Sequence, residues 1–379
     1  MKTIFSTIFA LGVLHSGVLK AQLDSIYNQS KYRTYIVHTP TNYTSGKQYP
    51  LVLNFHGLNS TAASQQLYTQ FNPISDTAGF IVVYPNGVNN TWNFTGFNGP
   101  DDVKFISALI DTLKKDFSIN SSCVYATGMS MGAFMCYKLS CDLSSKIAAI
   151  APVSGNMTTI QKNSCSQSKK IPVLHIHGTS DNVVSYNGQI GITDVPTTID
   201  WWRQTNNCSS TPVVTAISNI NTSDGATADR YYYKPMTSDS AEVIFYKVTG
   251  GGHTWPGAFP SSTQGNTCED FSASAVIWAF FKKHCAMGTN SIKNDETTFE
   301  LDLFPNPATD KLNFNITVDA AKERLRDITV FNTLGVKILA MNYSKEINSV
   351  NIAQLPEGIY FIGFRGEKSM TLRKFIKVR

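Results

Sequence analysis

The sequence predicts an α/β fold, a mostly parallel sheet with helices on both faces, followed by a small all-β sandwich. Three observations carry this. Between residues 32 and 285, short β-branched or aromatic runs alternate with helical patterns, the rhythm of a parallel sheet. Residues 286–302 lose apolar periodicity and read as a linker. From 303 to 379 the apolar runs are short, alternating and separated by turns, as in a β-sandwich.

The elements follow in order. YRTYIVHTP (32–40) and YPLVLNFHG (49–57) read as strands, and a polar helical stretch covers 64–79. GFIVVYP (79–85) is an apolar strand ending in a Pro-Asn-Gly turn. Asp101 or Asp102 caps a helix in which Phe105, Ile106, Leu109, Ile110 and Leu113 recur at helical spacing. CVYATG (123–128) is a strand running straight into Ser130, and 133–140 is helical. AAIAPVSG (148–155), IPVLHIHG (171–178) and EVIFYKVTG (242–250) are further buried strands, and a helix over 273–284 closes the unit. In the tail, LNFNITV, ITVFNTL, VKILAMN, INSVNIA, GIYFIGF and TLRKFIKV are the strands; no His or Cys occurs there, which leaves little for catalysis.

The first 21 residues place Lys2 ahead of an apolar run from Ile4 to Leu14, with a small residue at Ala21, the pattern of a cleaved export signal. The expected layout is therefore a signal over 1–21, an α/β domain over 22–285, a linker over 286–302 and a sandwich over 303–379. No later segment is apolar for long enough to span a bilayer. The net charge of +5 belongs to the tail, which has 12 Lys+Arg against 7 Asp+Glu from residue 303 onward. That tail combines no basic groove with stacking aromatics, so nucleic acid is not an expected partner.

Seven cysteines in an exported chain allow disulfides and leave at least one thiol free. Cys123, in a strand-like run, and Cys136, on the helix after Ser130, read as core. Cys165, Cys208, Cys268 and Cys285 fall in polar or element-end settings and are the bridge candidates; spacing does not pair them. No C-x-x-C occurs, which argues against a zinc ribbon or redox motif.

ATGMSMGAF (126–134) sets Ser130 between Gly128 and Gly132. G-x-S-x-G alone is weak in a chain with 25 glycines, and context decides it. A strand precedes Ser130 and a helix follows, whose N-terminal amides favour an oxyanion. A serine hydroxyl attacks an ester only when an imidazole takes its proton and a carboxylate orients that imidazole. Asp181, in HGTSDNVV, and His253, in GGGHTWPG, each lie just past the carboxyl end of a strand, in the order Ser, acid, His. The expected oxyanion donors are the amides of Met131 and Leu58. His56 is expected to shape the oxyanion turn beside the substrate, and Trp92 and Trp255 to rim the same sheet edge. His175 and His177 share a strand face; no third ligand follows at metal spacing, so they read as buried histidines bonded to backbone.

LVLNFHG, DDVKFISALIDTL, VYATGMSMGAFMCYKLSCDLSSKIAAIAPVSG, PVLHIHGTSDNVVSYNG and GGGHTWPG together resemble the extracellular esterases that join polyhydroxybutyrate depolymerase-like proteins with the feruloyl and acetylxylan esterases of carbohydrate esterase family 1. The resemblance covers about 32–285. It implies an α/β-hydrolase fold, a Ser130, Asp181, His253 triad, and neither metal nor cofactor. LFPNPATDKLNF, VFNTLGVKIL, LPEGIYFIGF and TLRKFIKVR resemble the type A sorting domain of the type IX secretion system, which implies that export machinery as a partner and a secreted or surface location. The expected activity is hydrolysis of feruloyl or acetyl esters on plant polysaccharide, with polyhydroxybutyrate hydrolysis and a silent binding protein on the same fold as the alternatives.

Overall fold

A computed structural model of the chain describes residues 22–97, 99–260, 263–285, 299–318, 325–332, 337–344, 346–365 and 370–379. The signal expected over 1–21 and most of the linker lie outside them. The chain divides into two compact units between residues 287 and 288.

The first unit holds, in chain order, β1 (Gln22–Asn28), β2 (Lys31–His38), β3 (Tyr49–Phe55), α1 (Ala62–Thr69), α2 (Phe71–Ala78), β4 (Ile81–Pro85), α3 (Asp102–Asp116), β5 (Ile119–Met129), α4 (Met131–Asp142), β6 (Ala149–Val153), α5 (Thr159–Ser164), β7 (Val173–Gly178), α6 (Val195–Thr205), β8 (Val213–Ala216), β9 (Thr227–Tyr233), β10 (Val243–Thr249) and α7 (Ala273–Phe281). Its ten strands lie in the order β1-β2-β4-β3-β5-β6-β7-β10-β9-β8. The six central strands, β4 to β10 in that order, pair in parallel, and both flanks pair antiparallel. This is the mixed, mostly parallel sheet of an α/β-hydrolase.

Because side chains alternate across a strand, each central strand feeds two cores. Leu51, Leu53, Val124, Ala126, Ile150 and Val173 face α3, α4 and α6 through Phe105, Leu109, Leu139 and Trp202. Val52, Tyr125, Ala149, Ala151, Leu174 and Ile244 face α2 and α7 through Phe71, Ile277 and Phe281. Helices therefore cover both faces, as expected. The single helix expected over 64–79 is two, since Gln70 adopts φ 51° between α1 and α2.

The cysteine assignment needs correction. Cys123 is bridged to Cys285 and Cys141 to Cys165, while Cys136, Cys208 and Cys268 are free and buried. Cys123 is both core and bridge, because the strand that buries it passes the chain end that follows α7. Cys208 is closed off by its bond to the Ala241 carbonyl, 2.9 Å away.

The second unit holds β11 (Phe299–Phe304), β12 (Lys311–Val318), β13 (Asp327–Asn332), β14 (Lys337–Asn342), β15 (Ser349–Asn351), β16 (Gly358–Arg365) and β17 (Met370–Lys377). They form a three-stranded sheet, β11-β12-β15, and a four-stranded sheet, β14-β13-β16-β17, all antiparallel. Leu312, Phe314 and Val350 from one sheet meet Ile328, Val330, Ile362 and Phe364 from the other in one core.

Candidate active site

Ser130 sits at the turn where β5 passes into α4, with φ 56° and ψ −119°. For a residue with a Cβ this is a strained conformation, which surrounding structure must impose. Its N–H is held by the Val153 carbonyl at 3.0 Å, and its own carbonyl accepts from Ala133 and Phe134 in the first turn of α4. The flanking glycines are required by close approach rather than by φ. A Cβ on Gly128 would stand 2.6 Å from the Phe55 carbonyl oxygen, and one on Gly132 would clash with that same oxygen. The end of β3 can thus lie against the turn.

Met131 is the first residue of α4, where a helix leaves its N–H groups without intrahelical partners. Leu58 lies in the loop after β3 and lines, with Gly57, Ser130 and His253, one cavity of about 490 Å3. A larger cavity, about 710 Å3, is lined by Lys170 and Glu242 at the amino ends of β7 and β10. Size does not make that one the reacting site: it lies at the wrong end of the strands, away from the serine turn.

Asp181 and His253 are brought together. The Asp181 side chain is buried, and its Oδ2 accepts from His253 Nδ1 at 2.8 Å. Oδ1 accepts from the amides of Val183 and Val184 at 2.9 and 2.8 Å, which locks the carboxylate. The amide of His253 is anchored on the Gln264 carbonyl at 2.7 Å. With Nδ1 donating to the carboxylate, Nε2 is left as the ring's proton acceptor.

Three expected substrate contacts are placed elsewhere and are corrected. His56 is fully buried: its Nδ1 donates to the Gly57 carbonyl at 2.7 Å and its Nε2 accepts from the Gly87 amide at 3.0 Å. It shapes the turn from beneath and does not line the cavity. Trp92, 3% exposed, donates its indole N–H to the His56 carbonyl; Trp255, 1% exposed, donates to Ser274 Oγ. Each indole N–H found an internal acceptor, so neither ring had reason to stay at the rim.

His177 is bonded to backbone, the Val184 carbonyl, and lies 3.4 Å from Asp181 Oδ2; His175 bonds instead to the Tyr137 hydroxyl at 2.6 Å. Burial lowers the pKa of His56 and His177, and lowers that of His175 furthest, with His177 adding to the effect on His175. Each histidine is thus neutral when folded but binds a proton near pH 6.5 when unfolded. The unfolded chain then holds more protons below that pH, so stability present above it is lost as pH falls. We expect the midpoint of thermal unfolding to drop between pH 7.5 and about 5, and a flat midpoint over that range would contradict it.

Among the described residues one further group has metal-like proximity, Asp224, Cys268 and Asp270. Its carboxylates accept from the amides of Ile220, Asn221, Ala226 and Glu269, and burial pushes the Cys268 thiol up to about 12. It pins loops together. Sequence reasoning singled out neither Tyr68 nor Gln264, both of which line the serine cavity. A tyrosine and a glutamine in polar stretches carry no motif that would have marked them.

Residues 302–378 match the secretion system C-terminal sorting domain family, which marks the chain for secretion or the cell surface. Residues 100–208 match the phospholipase/carboxylesterase family. Over 153 residues the chain is 35% identical to a bifunctional acetylxylan esterase/xylanase of Neocallimastix patriciarum, covering 40% of this chain and 22% of that one. It is 32% identical over 187 residues to a probable feruloyl esterase C of Aspergillus terreus, covering 48% and 64%. It is 26% identical over 270 residues to feruloyl esterase D of Neurospora crassa, covering 67% and 82%. The chain thus spans less than two thirds of the length of the first two of these relatives.

Proposed function

We propose that this chain, a feruloyl esterase-like α/β-hydrolase with a C-terminal secretion sorting domain, hydrolyses carboxylic esters through an acyl-enzyme. The observation that carries the reading is a serine on a strained strand-to-helix turn sharing one cavity with a histidine whose Nδ1 is held by a buried carboxylate. His253 Nε2 takes the proton as Ser130 Oγ attacks the carbonyl carbon. The amides of Met131 and Leu58 hold the oxyanion that forms. His253 then gives its proton to the departing alkoxide, and water activated by the same nitrogen releases the acid. Asp181 keeps the ring oriented and offsets its charge while it is protonated.

For substrate we take feruloyl or acetyl esters of plant polysaccharide, in keeping with the similarity to an acetylxylan esterase and to feruloyl esterases. Residues 22–285 would be the catalytic domain. The segment over 1–21 would serve as export signal, and 303–379 as the address read by type IX machinery, removed on release or used for attachment. The test is kcat/KM on methyl ferulate, 4-nitrophenyl acetate and a short 3-hydroxybutyrate oligomer. Methyl ferulate or the acetate should lead. A lead for the oligomer would replace the polysaccharide reading with polyester breakdown, and no turnover of any ester would support a silent binding protein.

A further inference from the structure

The cavity at Ser130 is lined by the loop after β3, by α1 and by the loops carrying Asp181 and His253. His253 must reach the leaving oxygen as well as the serine, so the alcohol half of an ester lies against the His253 loop. Tyr68, on α1, is tied to that loop through its hydroxyl. Its hydroxyl accepts from the Trp255 amide, two residues beyond His253, at 3.1 Å. That bond uses an oxygen lone pair and leaves the phenolic proton. Among the hydrogen bonds of the described residues Tyr68 donates to no protein acceptor, although the residue lines the cavity. Burial raises its pKa, so the proton stays in place at neutral pH.

Two neighbouring polar groups on α1 are differently occupied. The Gln65 carboxamide donates to Asn54 Oδ1 at 2.8 Å, and Ser64 pairs with Thr61. The Tyr68 oxygen is therefore held by the Trp255 amide two residues beyond His253, with its proton taken by no protein acceptor among the described residues. A donor so placed discriminates between alcohols that carry an oxygen next to the ester and those that do not. A sugar carries such oxygens on the neighbouring carbons; a simple alkyl alcohol carries none.

Resting on the esterase reading above, we propose that Tyr68 is a specificity-determining residue that selects esters of polyhydroxylated alcohols by donating its phenolic hydrogen to an oxygen adjacent to the scissile bond. Tyr68→Phe keeps the ring and removes the donor. The measurement is the ratio of kcat/KM for a sugar ester to that for a simple alkyl ester with the same acyl group. Two pairs serve: feruloyl arabinose against methyl ferulate, and acetyl xylose against ethyl acetate. The ratio should fall about tenfold in the variant, the worth of one hydrogen bond made to substrate. A loss equal for both members of a pair means that the phenol only supports the Trp255 amide, and overturns the proposal. The acetyl pair reads the same ratio where feruloyl esters are not turned over, so failure of the acyl assignment and failure of the Tyr68 assignment give different results. A second measurement needs no variant: methyl arabinofuranoside should inhibit the wild-type chain competitively and more strongly than cyclopentanol does. Equal inhibition by the two, or by neither, also overturns it.

Discussion

Ser130→Ala lowers kcat on every ester the protein turns over by about 10,000-fold or more, while the unfolding midpoint stays within a few degrees of the wild type. The two halves of this expectation have separate causes. Activity falls because the oxygen that forms the acyl-enzyme is gone; the oxyanion donors and the histidine then act only on water, the small residual catalysis such sites retain. Stability holds because the groups fixing the turn are backbone: the Val153 carbonyl on the Ser130 amide, and the Ala133 and Phe134 amides on the Ser130 carbonyl. Alanine leaves all three in place and suffers the same φ of 56°. Turnover is followed on 4-nitrophenyl acetate and folding by thermal unfolding. A fluorophosphonate should label the wild-type chain and leave the variant unmodified. Near-normal turnover in the variant would remove the serine from the mechanism.

The central strands were legible because they are covered on both faces and so read as unbroken apolar runs, as in LVLNF and CVYATG. β1, β8 and β9 were not, since they lie on the antiparallel flanks where burial is partial; all four residues of β8 are exposed. Strand ends could be read with the strands, so Asp181 and His253 could be set on one sheet edge before their 2.8 Å bond was seen. Burial of single loop residues was not legible. Trp92 and Trp255 sit in loops, and only the tertiary fold shows that a backbone carbonyl and a serine wait inside for their indole N–H groups. Pairing of cysteines failed for a similar reason: Cys123 and Cys285 are 162 residues apart, and no local pattern reports that their Cα atoms stand 4.7 Å from each other.

Asp181→Asn should cost nearly as much as loss of the serine, about 10,000-fold in kcat, although it changes one oxygen to nitrogen. Asp181 uses its two oxygens differently: Oδ1 receives the Val183 and Val184 amides, and Oδ2 receives His253 Nδ1. An asparagine has a single carbonyl oxygen, and two backbone donors hold it at the Oδ1 position. Its NH2 then faces the imidazole, whose Nδ1 must become the acceptor, so the ring proton moves to Nε2. A neutral imidazole protonated there cannot take the Ser130 proton. The same NH2 also meets His177 Nε2, which lies 3.4 Å from Oδ2 and already donates to the Val184 carbonyl. Two donors then face one another in a buried place, at a cost of about 1–3 kcal/mol in stability. Kinetics on 4-nitrophenyl acetate and thermal unfolding of the single variant check both parts. The double variant Asp181→Asn/Ser130→Ala should be scarcely slower than Ser130→Ala alone, because groups that act as one unit do not lose activity additively. A drop in kcat of less than about tenfold in Asp181→Asn would mean that the carboxylate does not set the tautomer of His253, and would leave the bond between them structural.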